Sequence, residues 1–219
     1  DECFVALMRS AYSTNIKERK DHSIAIVDKK GRLVVQAELT LPIHIASMGG
    51  LMNCVLEKYG DEINEGDIFV ANDPHTAGGT HLPDINYAMP VFIDGEIVAF
   101  ICNIAHHADI GGMVPGSMAG GMSEIYQEGL RIPVVRLFKK GEIQQDIMDI
   151  MLLNVRVPEE RQGDHNAQIA SCRLGERRFK EVVKVHGLKN VLTSFDEIIS
   201  RTHQRMKDTI AQIPDGIYE

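Results

Sequence analysis

Four of the nine histidines lie between residues 75 and 107, at His75, His81, His106 and His107, and Asp73, Asp84 and Asp109 stand among them. Imidazole nitrogens mixed with carboxylate oxygens are the donor set of zinc, manganese and iron sites. Any one of these histidines alone reads more readily as a hydrogen-bonding core residue or a solvated rim residue than as a ligand; the local density of donors is what points to a divalent metal. The surrounding charge agrees. Residues 59 to 130 contain no Lys or Arg and eleven Asp or Glu, so the stretch attracts cations and repels an unaccompanied phosphate.

Within the cluster, His81-Leu82-Pro83-Asp84 is an H-x-x-D step whose proline restricts the backbone between two donors. Ile85 to Ile93 and Glu96 to Ala105 are apolar, strand-forming runs joined by Asp94-Gly95, a tight-turn pair, and so predict a β-hairpin. Asp84 and His106 stand just outside the open ends of that hairpin and must therefore meet in space. A metal set of His81, Asp84 and His106 leaves coordination positions open, the pattern of a catalytic ion. His107 and Asp109 follow directly and read as proton carriers, as partners orienting a ligating imidazole, or as water-facing groups. Asp73 and His75, in Asn72-Asp73-Pro74-His75, read either as turn residues or as substrate contacts. Glu38 and His44, in QAELTLPIH, are weaker candidates for the same cleft.

The elements that must position these residues follow from periodicity. Residues 3 to 12 have helical spacing, interrupted by the Ser13-Thr14-Asn15 cluster; Ser23 to Val27 and Arg32 to Ala37 form a hairpin across Asp28-Lys29-Lys30-Gly31. Ala46 to Tyr59 predicts a helix ending at Gly60, and Asp67 to Ala71 a short strand. Residues 110 to 123 carry five glycines and no apolar period, and so form a loop or lid whose N–H groups could face an oxyanion. From Gln144 the chain turns helical, Pro158 breaks the pattern, and a second helix covers Gln168 to His186. A final amphipathic stripe runs from Leu188 to Ile213, with Ser194 and Glu197 as a capping box near its start. The expectation is an α+β fold, a mainly antiparallel sheet with packed helices over residues 1–143, followed by a helical segment over 144–219.

Composition excludes several function classes. A net charge of −8, with 44% hydrophobic and 25% charged residues, suits a globular chain and not a nucleic-acid surface. Residues 156 to 219 balance eleven basic against ten acidic side chains and form an ordinary charged helical face. No apolar run approaches the roughly 20 residues of a membrane span, and the first residues lack a basic segment leading into an apolar one, so a cytoplasmic location without membrane contact is expected. Cys3, Cys54, Cys102 and Cys172 are far apart, with no C-x-x-C pair, and Cys102 and Cys172 read as packing residues. Phosphate loops, dinucleotide fingerprints, nucleophile elbows and H-E-x-x-H are absent.

Several long runs carry a resemblance: AYSTNIKERKD (11–21), NDPHTAGGTHLPDI (72–85), AHHADIGGMVPGSM (105–118), EIYQEGLRIP (124–133) and NVRVPEERQGD (154–164), with QIASCRLGERR beyond. In these the sequence resembles the hydantoinase B/oxoprolinase family, shared with subunits of acetone and acetophenone carboxylases. The resemblance implies an A-type partner that binds ATP and phosphorylates a carbonyl-derived oxygen, and a B-type part that holds a divalent metal. In the related carboxylase subunits the metal is held by an H-x-x-D pair and a downstream histidine, which correspond to His81, Asp84 and His106. The implied substrate is a cyclic amide of the hydantoin or 5-oxoproline kind; a ketone carboxylase subunit or a non-catalytic sensor domain are the alternatives. Many relatives carry Tyr where this chain has His75. Family chains extend beyond both ends of this one, so a fragment of a longer B-type subunit is expected.

Overall fold

The computed structural model describes residues 1–217. The chain opens with α1 (Glu2–Ser10) and a single helical turn, α2 (Thr14–Lys17), where the Ser-Thr-Asn cluster predicted only a turn. Then come β1 (His22–Asp28), β2 (Leu33–Gln36), α3 (Pro42–Tyr59), β3 (Ile68–Ala71), β4 (Asp84–Ile93) and β5 (Glu96–His106). β6 (Val135–Lys139), β7 (Glu142–Ile143), α4 (Gln145–Leu153), α5 (Pro158–His186) and α6 (Leu188–Ile210) follow. The strands form one sheet in the order β2-β1-β5-β4-β3-β6-β7, antiparallel at every pairing. The fold class is α+β, with helices on both faces of the sheet.

Strand alternation explains the layering, because successive side chains of a strand point to opposite faces. One face presents Ala25 and Val27 of β1, Phe69 of β3, Ala88 of β4, and Phe100, Cys102 and Ile104 of β5 to Met48, Leu51, Met52 and Val55 of α3. Leu51, Met52 and Val55 are fully buried, each worth roughly 1.5–3 kcal/mol of transfer free energy. The other face presents Ile85, Tyr87, Met89 and Val91 of β4 and Ile101 of β5 to Ile169, Cys172 and Phe179 of α5, with Val191 and Phe195 of α6 beyond. The central β4–β5 hairpin turns at Asp94-Gly95, both with positive φ (52° and 82°), the backbone that such a two-residue turn requires.

Three expectations about elements need correction. α3 begins at Pro42 instead of Ala46, because proline suits the first helical turn, and this places His44 on the helix. α4 already ends at Leu153, and Pro158 begins α5 instead of merely breaking a helix, so α5 starts ten residues before Gln168. Ser194 does not cap a helix: its Oγ donates to Asn190 O within a continuous α6. The strands β6 and β7, which carry no clear sequence alternation, extend the sheet beyond β3. Among the described residues, no helix is long and apolar enough to cross a membrane.

Candidate metal centre

Asp84 and His106 are directly opposite each other in the β4–β5 ladder, so both side chains leave the sheet on one face. That face is the α3 face, since Ala88 on β4 and Cys102 and Ile104 on β5 share their parity. The loop between β3 and β4 returns His81 over the same spot. His81 Nε2 lies 3.1 Å from Asp84 Oδ1 and His106 Nδ1 lies 3.3 Å from the same oxygen. One donor atom from each of His81, Asp84 and His106 can be chosen so that all lie within 4.8 Å of one another. The β4–β5 hairpin sets Asp84 beside His106, and the loop before it adds His81, so the three expected residues meet.

Two residues that carried little sequence signal join them. Asp21 immediately precedes β1, its carbonyl accepts the His106 N–H (3.0 Å), and its carboxylate lies 3.7 Å from His106 Nδ1. Lateral pairing of β1 with β5, far along the chain, puts it there, and no local pattern announces such a pairing. His44 reaches in from α3, its Nε2 3.6 Å from both Asp84 Oδ2 and Asp21 Oδ1. Ser23 Oγ, which accepts the Leu41 N–H, is 2.8 Å from His44 Nδ1. With the Ser23 hydroxyl given to Nδ1, the His44 Nε2–H faces the two carboxylates and orients them. Glu38, the other weak candidate, is exposed, and its backbone N–H meets Asp1 instead.

The loop lies close to α3 because two glycines meet there. A Cβ on Gly50 would sit 2.6 Å from Gly78 Cα, so any larger residue forces the backbones apart. Asn72 closes the base of the same loop, donating to Leu82 O and Leu130 O and accepting from Ile132 N–H. Thr80 Oγ donates to Asp84 Oδ2.

The electrostatics favour a cation. Burial pushes the Asp84 carboxyl up, but the imidazoles of His106, His44 and His81 outweigh it and hold the group far below the usual carboxylate range. Asp84 in turn raises His81, against the effect of burial. Asp84 Oδ1 is buried, and no hydrogen bond of good geometry reaches it among the described residues, although two ring nitrogens face it. Two carboxylates and convergent imidazole lone pairs make a donor set that a divalent ion fits in both charge and chemistry.

The structure does not bring the other expected residues to this cluster. His107 directly follows His106 and therefore faces the opposite side of the sheet. It is 1% exposed, hydrogen-bonds Gln168 Oε1 through Nε2 (2.8 Å) and packs against the His165 ring at a tilt of 36°, and burial lowers its pKa to about 4. Asp109 organises the glycine-rich loop: its carboxylate accepts from the N–H groups of Gly111, Gly116 and Arg156 and from the Arg156 guanidinium. Two of the N–H groups that an oxyanion might have used are thus taken by Asp109. Asp73 accepts from the His75 and Thr76 N–H groups and the Thr76 hydroxyl, and pairs with Arg131 at 2.5 Å. Burial raises the Asp73 carboxyl, but Arg131 and the Thr76 donors dominate and hold it at about 2. It also lines a cleft of about 570 Å³ with Thr76, Tyr126 and Arg131, while His75 is exposed. Cys102 and Cys172 are buried, and burial pushes the Cys102 thiol up to about 12.

A family model described as hydantoinase B/oxoprolinase matches residues 1–219. The chain belongs to that family. It is 35% identical over 217 residues to the beta subunit of the caprolactamase of Pseudomonas jessenii, covering 99% of this chain and 37% of that one. It is 32% identical over 216 residues to the B subunit of a putative D-/L-hydantoinase of a Pseudomonas species, covering 97% and 36%. The crystal structure of the ATP-dependent caprolactamase from Pseudomonas jessenii superposes with a TM-score of 0.90 at 34% identity, covering 98% of this chain and 37% of that chain. A nucleotide-free acetone carboxylase structure shares the fold, at TM-score 0.84 and 22% identity, over 90% of this chain and 26% of that one. The chain thus spans under two-fifths of the length of these family members.

Proposed function

We propose that this chain supplies the metal-binding part of a B-type component in an ATP-dependent cyclic-amide hydrolase, acting on a hydantoin, a 5-oxoproline or a related lactam. The observation that carries the reading is the convergence of His81, Asp84 and His106 on one rung of the central hairpin, with donor atoms within 4.8 Å. Family membership and the names of the hydantoinase and caprolactamase relatives support the reaction class. An A-type partner that binds ATP and activates the amide oxygen completes the reading; this chain carries no phosphate loop of its own.

His81, Asp84 and His106 would hold a divalent ion, zinc, manganese or iron, with Asp21 beside them as a further carboxylate. When bound, such an ion supplies Lewis-acid polarisation of a carbonyl-derived oxygen or a more acidic bound water. The protein's part is orientation. His44 and Thr80 fix the Asp84 carboxylate, and the burial of Asp84 and His106 excludes bulk water from two of the donors. The exposed side of His81 leaves the site open to substrate. Asp73 and Arg131, lining a cleft with Thr76 and Tyr126, form a polar pair suited to a small amide; His75, exposed two residues after Asp73, would be a further substrate contact. His107 and Asp109 are placed to support the strands and the loop, and a proton-carrying role for either would require a route around the sheet.

Elemental analysis of the purified chain tests the metal, with about one ion per chain expected. His81→Ala and Asp84→Ala should each lose it while retaining the far-UV circular dichroism of the fold; unchanged metal in both variants would refute the ligand set. With an A-type partner and ATP, ring opening of hydantoin, oxoproline or caprolactam is expected. Bicarbonate-dependent carboxylation of small ketones without amide cleavage would instead assign the carboxylase branch, and absence of stoichiometric metal would favour a sensor domain.

A further inference from the structure

The α5 face of the sheet carries a hydrogen-bonded polar cluster directly behind the candidate centre. Its hub is Gln168, fully buried on α5. The Gln168 Nε2 donates to Ile85 O (2.8 Å) and to Asn103 Oδ1 (3.0 Å). A backbone carbonyl can only accept, so this fixes the amide's orientation and turns Oε1 toward His107 Nε2 at 2.8 Å. His107 must then carry its proton on Nε2. The Gln168 backbone carbonyl accepts from Asn103 Nδ2 (2.8 Å), which agrees with the same assignment.

The positions of these partners matter more than their number. Ile85 follows Asp84 on β4, and His107 follows His106 on β5, where its N–H continues the ladder to Pro83 O (2.8 Å). A single side chain therefore ties together the residues immediately after two of the candidate ligands, one on each strand, from the side of the sheet away from the donors. We infer that Gln168 is a positioning residue for the metal centre, holding the Asp84–His106 rung at the spacing an ion requires. Groups that lock ligands from behind typically change metal affinity by about 10–100-fold when removed. The inference rests on the metal reading given above, and the two can fail separately.

Gln168→Met keeps the length of the side chain and removes its polar atoms. Zinc affinity, by competition with a chromophoric chelator, should fall by about 10–100-fold, and the visible spectrum of the cobalt(II)-loaded chain should change in band position and intensity. Ile169→Ala, on the same helix but packed in the apolar core, should lower thermal stability while leaving the affinity and cobalt spectrum as in the parent chain. If Gln168→Met does not fold, His107→Leu cuts the arm to β5 alone and is expected to shift both readouts in the same direction. Parent-like zinc affinity and cobalt spectrum in the folded variant would overturn the inference while leaving the metal centre standing. A parent chain that binds neither ion would overturn both.

Discussion

At the scale of single residues, neighbouring histidines end in opposite environments. His106 joins a carboxylate cluster, whereas His107 and His165 pack tilted against each other between sheet and helix, with ring centroids 4.5 Å apart. Burial, together with repulsion from His107 and Arg161, pushes His165 well below the ordinary imidazole value. Its folded pKa is therefore depressed, and the unfolded chain takes up a proton that the folded chain refuses once the pH drops below about 6.5. Stability should fall with pH in that window, by up to about 1.4 kcal/mol per pH unit from this one residue. Urea unfolding with EDTA at pH 7 and pH 5 checks it. His165→Gln, which can still meet the Tyr87 hydroxyl that His165 Nδ1 meets at 2.9 Å, should lose less than the parent between the two pH values. Equal losses would show that His165 is not held below the ordinary imidazole value in the folded chain. The donor types of the candidate cluster were legible from their local density and spacing, but Asp21 was not. Its proximity depends on β1 pairing with β5, and long-range pairing leaves no mark on the residues flanking an aspartate.

At the scale of elements, what positions the cluster is the contact between α3 and the loop that carries His81. Gly49 and Gly50 give a paired test within one helix. Gly49→Ala meets nothing within 4 Å and should stabilise the chain by about 0.5–1 kcal/mol through helix propensity. Gly50→Ala gains the same propensity but drives its Cβ into the backbone at Gly78, and a net loss of about 1–3 kcal/mol is expected, along with weaker metal retention. Thermal melts of the two variants decide; a Gly50→Ala chain as stable as Gly49→Ala would mean that the loop can move aside freely. The β4–β5 hairpin was readable because its turn residues and apolar runs agree on one structure. β6 was not, because VRLFK is short and mixes charges into its pattern. The early starts of α3 and α5 share one cause, since a proline ends one helical pattern and can open another.

At the scale of the whole molecule, the sheet separates the His81–Asp84–His106 cluster on its α3 face from the layer formed by α5 and α6 on the other. An ion bound only by the folded chain stabilises it through mass action, by about 2.7 kcal/mol at a hundredfold excess over Kd. For a chain of this size that corresponds to a rise of about 5–10 °C in melting temperature. Scanning fluorimetry with and without added zinc should show the rise in the parent and none in Asp84→Ala; a parent Tm indifferent to every divalent ion tried would sink the metal assignment. The α+β class and the helices of the C-terminal third were visible in periodicity. Which face each helix covers was not, because faces are assigned by strand order, and β5 came to lie between β1 and β4.

The adjacent imidazoles at the end of β5 have a consequence for how faithfully the strand must align. Were β5 to slide by one residue against β4, every side chain would change sides, yet a histidine would still stand over Asp84. Both faces of β5 are apolar, with Phe100, Cys102 and Ile104 on one and Ala99 and Ile101 on the other, so oiliness alone penalises such a misalignment weakly. Asn103 breaks the tie. Slid to the α3 side, it would abandon Gln168 and Cys172 and face a greasy layer with its amide unmet, and this buried amide, more than the histidines, tells the strand where to stop.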